Sequence, residues 1–427
     1  MAETYFQVDN KKIVRKAYLV GISAPGLETH LAAEHLMELE ELVDTMGLQT
    51  VKSEVVYLRR PNSKFYIGSG KVKEIAQAAK ENSAECIVVD FDLSPSQQRN
   101  WETVGGVCVI DRQEVILEIF AARAKTREAV IQVSLAKMEY SLPRLTRAWT
   151  HLSRQRGGAA GTRGEGETQL EVDRRMVQNR INQLKKELIE VSKHRVVQRA
   201  KRERSTVPLA AIVGYTNVGK SSLLNALSGA SVFVEDKLFA TLDPTTKAIS
   251  ISENKPLIIT DTVGFIRKLP HNLVEAFKST LEEVVVADFI IHILDISNPS
   301  VEQHFKTTVA LLKELESLDK PTITVFNKID KFEDSIGRAR LKALYPDSIF
   351  ISVKTGEGID LLLQKLKDTA DRDSLTMHLK IPSEKSELIS KIYRLGKVIG
   401  IKYENESALI SVRMPKIYKK IFTDYSA

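Results

Sequence analysis

Residues 209–222 read Leu209-Ala210-Ala211-Ile212-Val213-Gly214-Tyr215-Thr216-Asn217-Val218-Gly219-Lys220-Ser221-Ser222. An apolar run of strand length enters a Gly-x-x-x-x-Gly-Lys-Ser turn and leaves into the helix-like SLLNALSG. That strand–loop–helix setting separates a phosphate-binding loop from a chance glycine turn. The glycines let backbone N–H groups turn inward around phosphate oxygens. Lys220 brings a positive charge to the β and γ phosphates, Ser221 offers a hydroxyl to Mg²⁺, and the helix N-terminus adds its positive dipole end. This stretch predicts an α/β nucleotide-binding domain.

Three further stations follow. Asp261-Thr262-Val263-Gly264 comes after the strand-like PLIIT. Its aspartate can hold Mg²⁺ through water, and Gly264 can donate its N–H to a γ-phosphate. Asn327-Lys328-Ile329-Asp330 comes after TITVF. A carboxylate at Asp330 accepts two hydrogen bonds from guanine N1–H and N2, a donor pair that adenine lacks. Ser352-Val353-Lys354 follows SIFI and is expected to close over the base. The four stations together point to GTP rather than ATP. Between the first helix and PLIIT lies Phe239-Ala240-Thr241-Leu242-Asp243-Pro244. A threonine that ligates Mg²⁺ only in the presence of a γ-phosphate would make this the first switch. On chemistry alone, Thr241, Thr245 and Thr246 are all candidates.

Upstream, the period changes. Ile131, Leu135, Met138, Leu142, Leu145 and Trp149 step by fours and threes. Leu170, Val177, Leu184 and Val191 step by sevens, with Ile181 and Leu188 in the alternate seam. Pro143 interrupts the first seam, Arg174 and Arg195 the second. Two helices in an antiparallel hairpin are expected, with RQRGGAAGTRGEGE as a long tip. Residues 144–206 hold 16 Lys and Arg against 7 Asp and Glu, a net +9, which leaves −2 for the rest of the chain. A flexible linker or a solvated face would explain such a segment. Close approach to phosphates, helped by Arg154, Arg156 and Arg163, explains it with its charge. The tip is nearly free of aromatics, so base stacking is not expected.

Further out, KAYLVGIS (16–23), QTVKSEVVYL, AECIVVDF and GVCVIDR read as strands. Segments from Leu27 to Met46, Ser69 to Asn82 and Ser94 to Val104 read as helices. Alternation of this kind predicts an α/β layer domain over 1–112. The connector then covers 113–206 and the nucleotide domain 207–372. MHLKIP, SEKSELISKIYR and KVIGIKYENESALISVRMP predict a small α+β domain over 373–427.

Composition sets outer bounds. At 427 residues the chain has room for about three domains. Apolar residues at 43% and charged residues at 27% exclude wholesale disorder. Two cysteines, Cys86 and Cys108, exclude a disulfide framework and suit a reducing cytosol. No apolar run reaches the roughly 18 residues of a membrane span, and MAETYFQVDNKK lacks a signal-peptide core.

The quoted residues resemble the HflX family of translational GTPases over nearly the whole chain. GYTNVGKSSLLNAL, FATLDPTT, DTVGFI and NKID match that family's stations in order. RGGAAGTRGEGETQLEVDRR resembles its glycine-rich connector, and LPRL with the following basic stretch resembles the helix before it; other GTPases lack these connector motifs. The second P-loop serine, Ser222, stands where many relatives have threonine. The resemblance implies GTP hydrolysis with Mg²⁺ as cofactor, held by Ser221, by Thr241 as the sensing threonine, and by Asp261 through water. Lys220, Thr241 and Gly264 form the expected catalytic set. It also implies binding to the large (50S) ribosomal subunit and its rRNA, with splitting or rescue of stalled ribosomes under stress. ATP at the N-terminal domain is a further family expectation. Ile67-Gly68-Ser69-Gly70-Lys71 is its only glycine-rich candidate here, without P-loop spacing. A cytoplasmic monomer is expected, with at most peripheral membrane association and no stable insertion.

A second reading is a GTP-switched module that binds a protein partner without touching RNA. A third, a G domain gating another chemistry, lacks a nucleophile–base set or a Cys/His cluster outside the nucleotide stations.

Overall fold

The computed structural model describes residues 6–8, 12–25, 29–145, 163–202, 207–229, 238–239, 242–252, 255–267, 278–370, 374–382, 385–404, 407–415 and 419–426. They fall into two compact units. The first gathers Met1–Arg195 with Val234–Asp243 and Val263–Leu281. The second gathers Val196–Phe233, Pro244–Thr262 and Glu282–Ala427.

In the first unit a short antiparallel pair, β1 (Phe6–Val8) and β2 (Lys12–Val14), precedes a parallel sheet. That sheet comprises β3 (Lys16–Ser23), β4 (Gln49–Tyr57), β5 (Cys86–Val89) and β6 (Cys108–Asp111), in the order β4-β3-β5-β6. Parallel strands require crossovers. Here they are the helices α1 (Thr29–Thr45), α2 (Ser69–Glu81) and α3 (Pro95–Gly105). Ser94 starts α3 with a complete capping box, its hydroxyl taking the Gln97 N–H while the Gln97 side chain takes the Ser94 N–H. Strand β5 is buried throughout, as expected for a central strand of a sheet covered on both faces.

A helix absent from the sequence reading comes next: α4, Arg112–Arg123. Val115, Ile116, Leu117, Ile119 and Phe120 are all buried, so its apolar residues form no single stripe and leave no clean period. Thr126 then caps α5 (Arg127–Ser141), which ends in a 3₁₀ turn over Leu142–Arg144, where Pro143 stops the α-helical ladder. The long helix α6 spans Arg163–Arg202. The two heptad seams meet: Ile131 and Leu135 bury against Ile181 and Leu184, with Met138, Leu142, Val177, Leu188 and Val191 around them. Trp149 and most of the glycine-rich tip lie outside the described residues. Arg144, of the LPRL motif, locks the root of the connector. It donates to the Leu93 carbonyl at 2.7 Å and to Gln98 Oε1 at 3.1 Å, with its guanidinium 3.6 Å from the Tyr140 ring centroid.

The second unit holds, among its described residues, a six-stranded sheet in the order β12-β11-β10-β7-β9-β8. Its strands are β7 (Leu209–Gly214), β8 (Thr245–Ser252), β9 (Lys255–Asp261), β10 (Phe289–Asp295), β11 (Thr322–Asn327) and β12 (Ile349–Phe350). All pairings are parallel except β8 with β9. The helices are α7 (Lys220–Ser228), α8 (Lys278–Val286), α9 (Val301–Glu314), α10 (Ser335–Leu344) and α11 (Ile359–Ala370). The C-terminal part is a separate antiparallel sheet of β13 (Ser374–Pro382), β14 (Lys397–Glu404) and β15 (Ser407–Pro415), with β15 central. Helix α12 (Ser386–Leu395) contributes Ile392 to its core beside Leu379, Ile381 and Val412, and α13 (Lys419–Phe422) contributes Phe422. Among the described residues no helix is long and apolar enough to cross a membrane.

Candidate nucleotide site

Sheet topology decides where the stations lie. Gly214 ends β7, Asp261 ends β9, Asn327 ends β11, and Ser352 lies two positions past the end of β12. All four lie at the carboxyl ends of parallel strands, where open α/β sheets bind ligands.

Two glycines are required by close approach. A Cβ on Gly214 would lie 2.3 Å from the Ile293 carbonyl oxygen, on the neighbouring strand β10. One on Gly219 would lie 2.5 Å from Asn327 Nδ2, and Gly219 also has φ +96°. The second contact shows what Asn327 does. Its Nδ2 donates to the Val218 carbonyl at 2.8 Å, and its Oδ1 accepts from the Val353 N–H at 3.1 Å. One buried amide therefore ties the phosphate loop to the base-closing loop. Lys328 adds a second tie. Its Nζ donates to the Asn217 carbonyl at 2.8 Å and lies 2.6 Å from Asp295 Oδ2.

Lys220 is buried, with Nζ donating to the Tyr215 carbonyl at 2.7 Å. Burial pushes its ammonium down to about 8, opposed by the charge of Asp261. An anionic phosphate would supply the counter-charge that this site needs. Thr216 points the same way: among the described residues its buried hydroxyl has no hydrogen-bond partner. Tyr215 stacks on His304 of α9, with centroids 3.7 Å apart and planes 7° from parallel.

Ser221 Oγ donates to Asp261 Oδ2 at 2.6 Å. A hydroxyl and a carboxylate side by side are the hard oxygen donors that Mg²⁺ takes, and Mg²⁺ completes its shell with phosphates and water rather than with a protein cage. Among the described residues no cluster of three or more His, Cys, Asp or Glu is placed to hold a metal. Thr262 Oγ1 donates to the Ile212 carbonyl at 2.7 Å and so fixes the start of the second switch to β7. Val263, Gly264, Phe265 and Ile266 are buried beyond it.

Asp330 is fully exposed, and its carboxylate accepts from Ser352 Oγ at 2.6 Å. That hydrogen bond, aided by Lys354 and Lys331, holds its carboxyl below the usual carboxylate range. A charged acceptor is therefore presented where a base would sit, with Ser352 positioning it and Ile329 buried beneath.

The first-switch candidates separate. Ala240 and Thr241 lie outside the described residues. Thr245 and Thr246 are in strand β8, not in a loop: Thr245 pairs with Asp261 in register, and the Thr246 and Thr260 hydroxyls lie 2.9 Å apart. The flanks of both switches cluster in the first unit. The Phe239 ring meets Phe120 edge-on at 4.6 Å, and Leu242 is buried. The Asp243 carboxylate accepts from Thr126 Oγ1 at 2.6 Å and from the Lys125 and Thr126 N–H groups at 3.1 and 3.2 Å. Asp243, in the first-switch stretch, thus accepts three hydrogen bonds at the start of α5. Beyond the second switch, Arg267 reaches Asp90 at 2.8 Å and Glu38 at 3.3 Å, beside the buried Arg112 that holds the same two carboxylates.

Of the connector residues, Arg163 opens α6, and Arg154 and Arg156 lie outside the described residues. At the N-terminal glycine run, Lys71 pairs with Glu54 at 3.0 Å and Glu74 at 2.6 Å. Sequence reasoning missed Asp295, His304, Asp90 and Glu38, whose roles come from pairings across long chain separations.

Three family profiles match the chain. One described as the N-terminal part of a GTP-binding GTPase covers residues 33–121, one described as its middle region covers 123–202, and one described as a 50S ribosome-binding GTPase covers 209–328. A GTPase HflX of Akkermansia muciniphila is 45% identical over 429 residues, spanning 97% of this chain and 98% of that protein. The GTPase HflX of Chlamydia pneumoniae is 43% identical, with 93% and 85% covered. That of Escherichia coli K12 is 40% identical over 384 residues, with 90% of each covered. Long, near-complete matches of this kind, on a chain whose phosphate, second-switch and guanine stations converge as described, show that it belongs to the HflX family of GTPases.

Proposed function

We propose that this GTPase acts on the large ribosomal subunit, and that its GTP cycle drives the splitting or rescue of stalled ribosomes. The observation that carries the reading is the joining of a P-loop site, with the Asn327–Asp330 station beside it, to a long, strongly basic helical connector in one chain. The profile over residues 209–328 is described as that of a 50S ribosome-binding GTPase, which supports it. Mg²⁺ would be held by Ser221, Thr241 and, through water, Asp261, and would neutralise the β and γ phosphates. Lys220 and the Gly264 N–H would bind the γ-phosphate. Arg154, Arg156 and Arg163 would meet ribosomal RNA at the connector tip. The work divides among four parts: residues 1–112, 113–206, 207–372 and 373–427.

The test is sedimentation of the chain, loaded with a non-hydrolysable GTP analogue, with purified large subunits across a salt series. Co-sedimentation that falls steeply with salt is the expected result, because RNA binding releases condensed counterions. Binding to a protein partner with a shallow salt response and no binding to subunits would favour the GTP-switched module instead.

A further inference from the structure

The chain has two cysteines, Cys86 and Cys108, and neither is in a disulfide. Each opens its strand. The parallel ladder of β5 and β6 sets them opposite one another as its first rung, ahead of Ile87–Val109, Val88–Ile110 and Val89–Asp111. Side chains alternate faces along a strand, so partners on one rung share a face. Ile87 and Val109, on the next rung, join the core beneath α2 and α3 with Val72, Ile75 and Trp101. The two thiols therefore lie together on the opposite face. Neighbouring strands run about 4.7 to 4.9 Å apart, inside the roughly 4.4 to 6.8 Å between Cα atoms that a disulfide spans. β6 is the edge strand of its sheet, while β5 is held between β3 and β6, so the edge can shift to seat the bond.

Access divides the pair. Cys86 is fully buried and Cys108 partly exposed. An oxidant reaches Cys108 first and finds a second sulfur beside it to resolve the product, which is the arrangement of redox-sensing thiols. A metal would need more. Structural zinc takes four ligands, and among the described residues no group of three or more His, Cys, Asp or Glu stands together. Intracellular disulfides that do form are mostly transient and redox-sensing.

We infer that Cys86 and Cys108 are an oxidant-responsive dithiol, closed to a disulfide by hydrogen peroxide and reopened by a dithiol reductant. The Cys108 sulfur attacks a peroxide oxygen. The O–O bond breaks, a sulfenic acid forms, and the thiol proton leaves with the departing oxygen as water. The Cys86 sulfur then attacks that of Cys108. The S–S bond forms, the S–O bond breaks, and the Cys86 proton leaves with the hydroxyl as a second water. The thiol pair gives up two electrons and one peroxide is reduced. Thiol–disulfide exchange with an external dithiol reverses the bond. Its effect is a brace. The bond closes the loop that holds α3, which restricts the unfolded chain. It also pins the strand that ends in Asp111, which takes the Leu93 and Glu114 N–H groups and the Tyr140 hydroxyl and lies 3.6 Å from Arg144 at the root of the connector. Nothing in this inference depends on the ribosomal reading.

The experiment treats the folded, full-length chain with hydrogen peroxide, alkylates the remaining thiols and maps the peptides by mass spectrometry. Both thiols should disappear together, with the Cys86 and Cys108 peptides joined within one chain. The thermal midpoint of the first unit should rise by about 5 °C or more, and dithiothreitol should reverse both changes. In Cys86→Ala, Cys108 should accumulate as sulfenic acid, read with a 1,3-dione probe. In Cys108→Ala, Cys86 should stay unreacted at the same dose. Survival of both thiols in excess peroxide would overturn the dithiol, as would a bond that forms only in urea or only between chains. Cys108 carried to sulfinic acid with Cys86 still reduced would also overturn it. A disulfide that leaves the midpoint unchanged would overturn the brace.

Discussion

Asp330 presents one exposed carboxylate past the end of β11, and we propose that it selects the base. Ser352 and the nearby lysines keep it charged, so it can accept two hydrogen bonds from guanine. In Asp330→Asn the amide offers a donor to the guanine amine, another donor. Loss of both charge-assisted bonds should weaken GTP binding by about a hundredfold. Preference should move towards xanthosine triphosphate, whose carbonyl replaces the amine. Competition binding of the two nucleotides checks this, and unchanged GTP binding would remove Asp330 from the site. Lys220 gives a second expectation. Its folded value, about 8, is below the ordinary 10.5, so the unfolded chain holds more protons between those values. The free protein should therefore gain stability as pH rises through that window, as the buried charge is lost. Phosphate restores the reason for the charge. GTP binding should take up about half a proton at pH 8, where half of the free protein's Lys220 is neutral, and almost none near pH 6.5. Calorimetry in buffers of different ionisation enthalpy reads this directly, and no buffer dependence at pH 8 would mean that the amine stays charged without ligand.

At the scale of elements, the second switch ends in a charge cluster. Arg267 shares Asp90 and Glu38 with Arg112, and the side chains of the two arginines are 13% and 1% exposed. Arg267→Ala removes one of two cations from two largely buried carboxylates. Breaking a buried pair in this way costs about 3 to 5 kcal/mol, and partial exposure puts this one near the lower end. Urea unfolding of the first unit's transition should show that loss, and a change under about 1 kcal/mol would show the cluster to be solvated. Nothing in the sequence joins Arg267 to Asp90, 177 positions away. By contrast, β3, β5 and the connector seams were legible, because each signal is local: a run of branched apolar residues, or a repeat of three and four. Helix α4 was not legible, since burial nearly all round erases the period. The stations of the nucleotide site were legible as motifs, because phosphate and guanine chemistry fixes residue type and spacing. The ties between them were not. Asn327 to Val218, Lys328 to Asp295 and Tyr215 to His304 depend on which strands become neighbours.

At the scale of the whole molecule, the phosphate loop and guanine stations belong to one unit, while the flanks of both switches belong to the other, with the N-terminal domain and connector. Anything that engages the connector therefore bears on the unit that holds Phe239, Asp243 and Arg267. Replacing Arg154, Arg156 and Arg163 with alanine should weaken binding to large subunits while leaving nucleotide affinity nearly intact; unchanged binding and splitting would reduce the tip to a linker. The same division bears on catalysis. In Ras-like GTPases a glutamine directly after the second-switch glycine orients the attacking water. Here Phe265 follows Gly264 and is buried. A phenyl ring neither donates nor accepts the hydrogen bonds that hold a water, and its burial gives it a packing role beneath the switch. The isolated chain should hydrolyse GTP slowly, and large subunits should accelerate it by ordering the first switch or supplying a polar group. Completion in trans is worth about 10³ to 10⁵ in rate, or about 4 to 7 kcal/mol of barrier. A turnover assay with and without subunits decides the point: rapid hydrolysis by the chain alone, with no gain on adding them, would show that the site already holds its water-orienting group. Phe265→Ala separates the two roles of the position. Loss of the stimulated rate with GTP affinity retained is the outcome expected of a ring that holds the second switch in place.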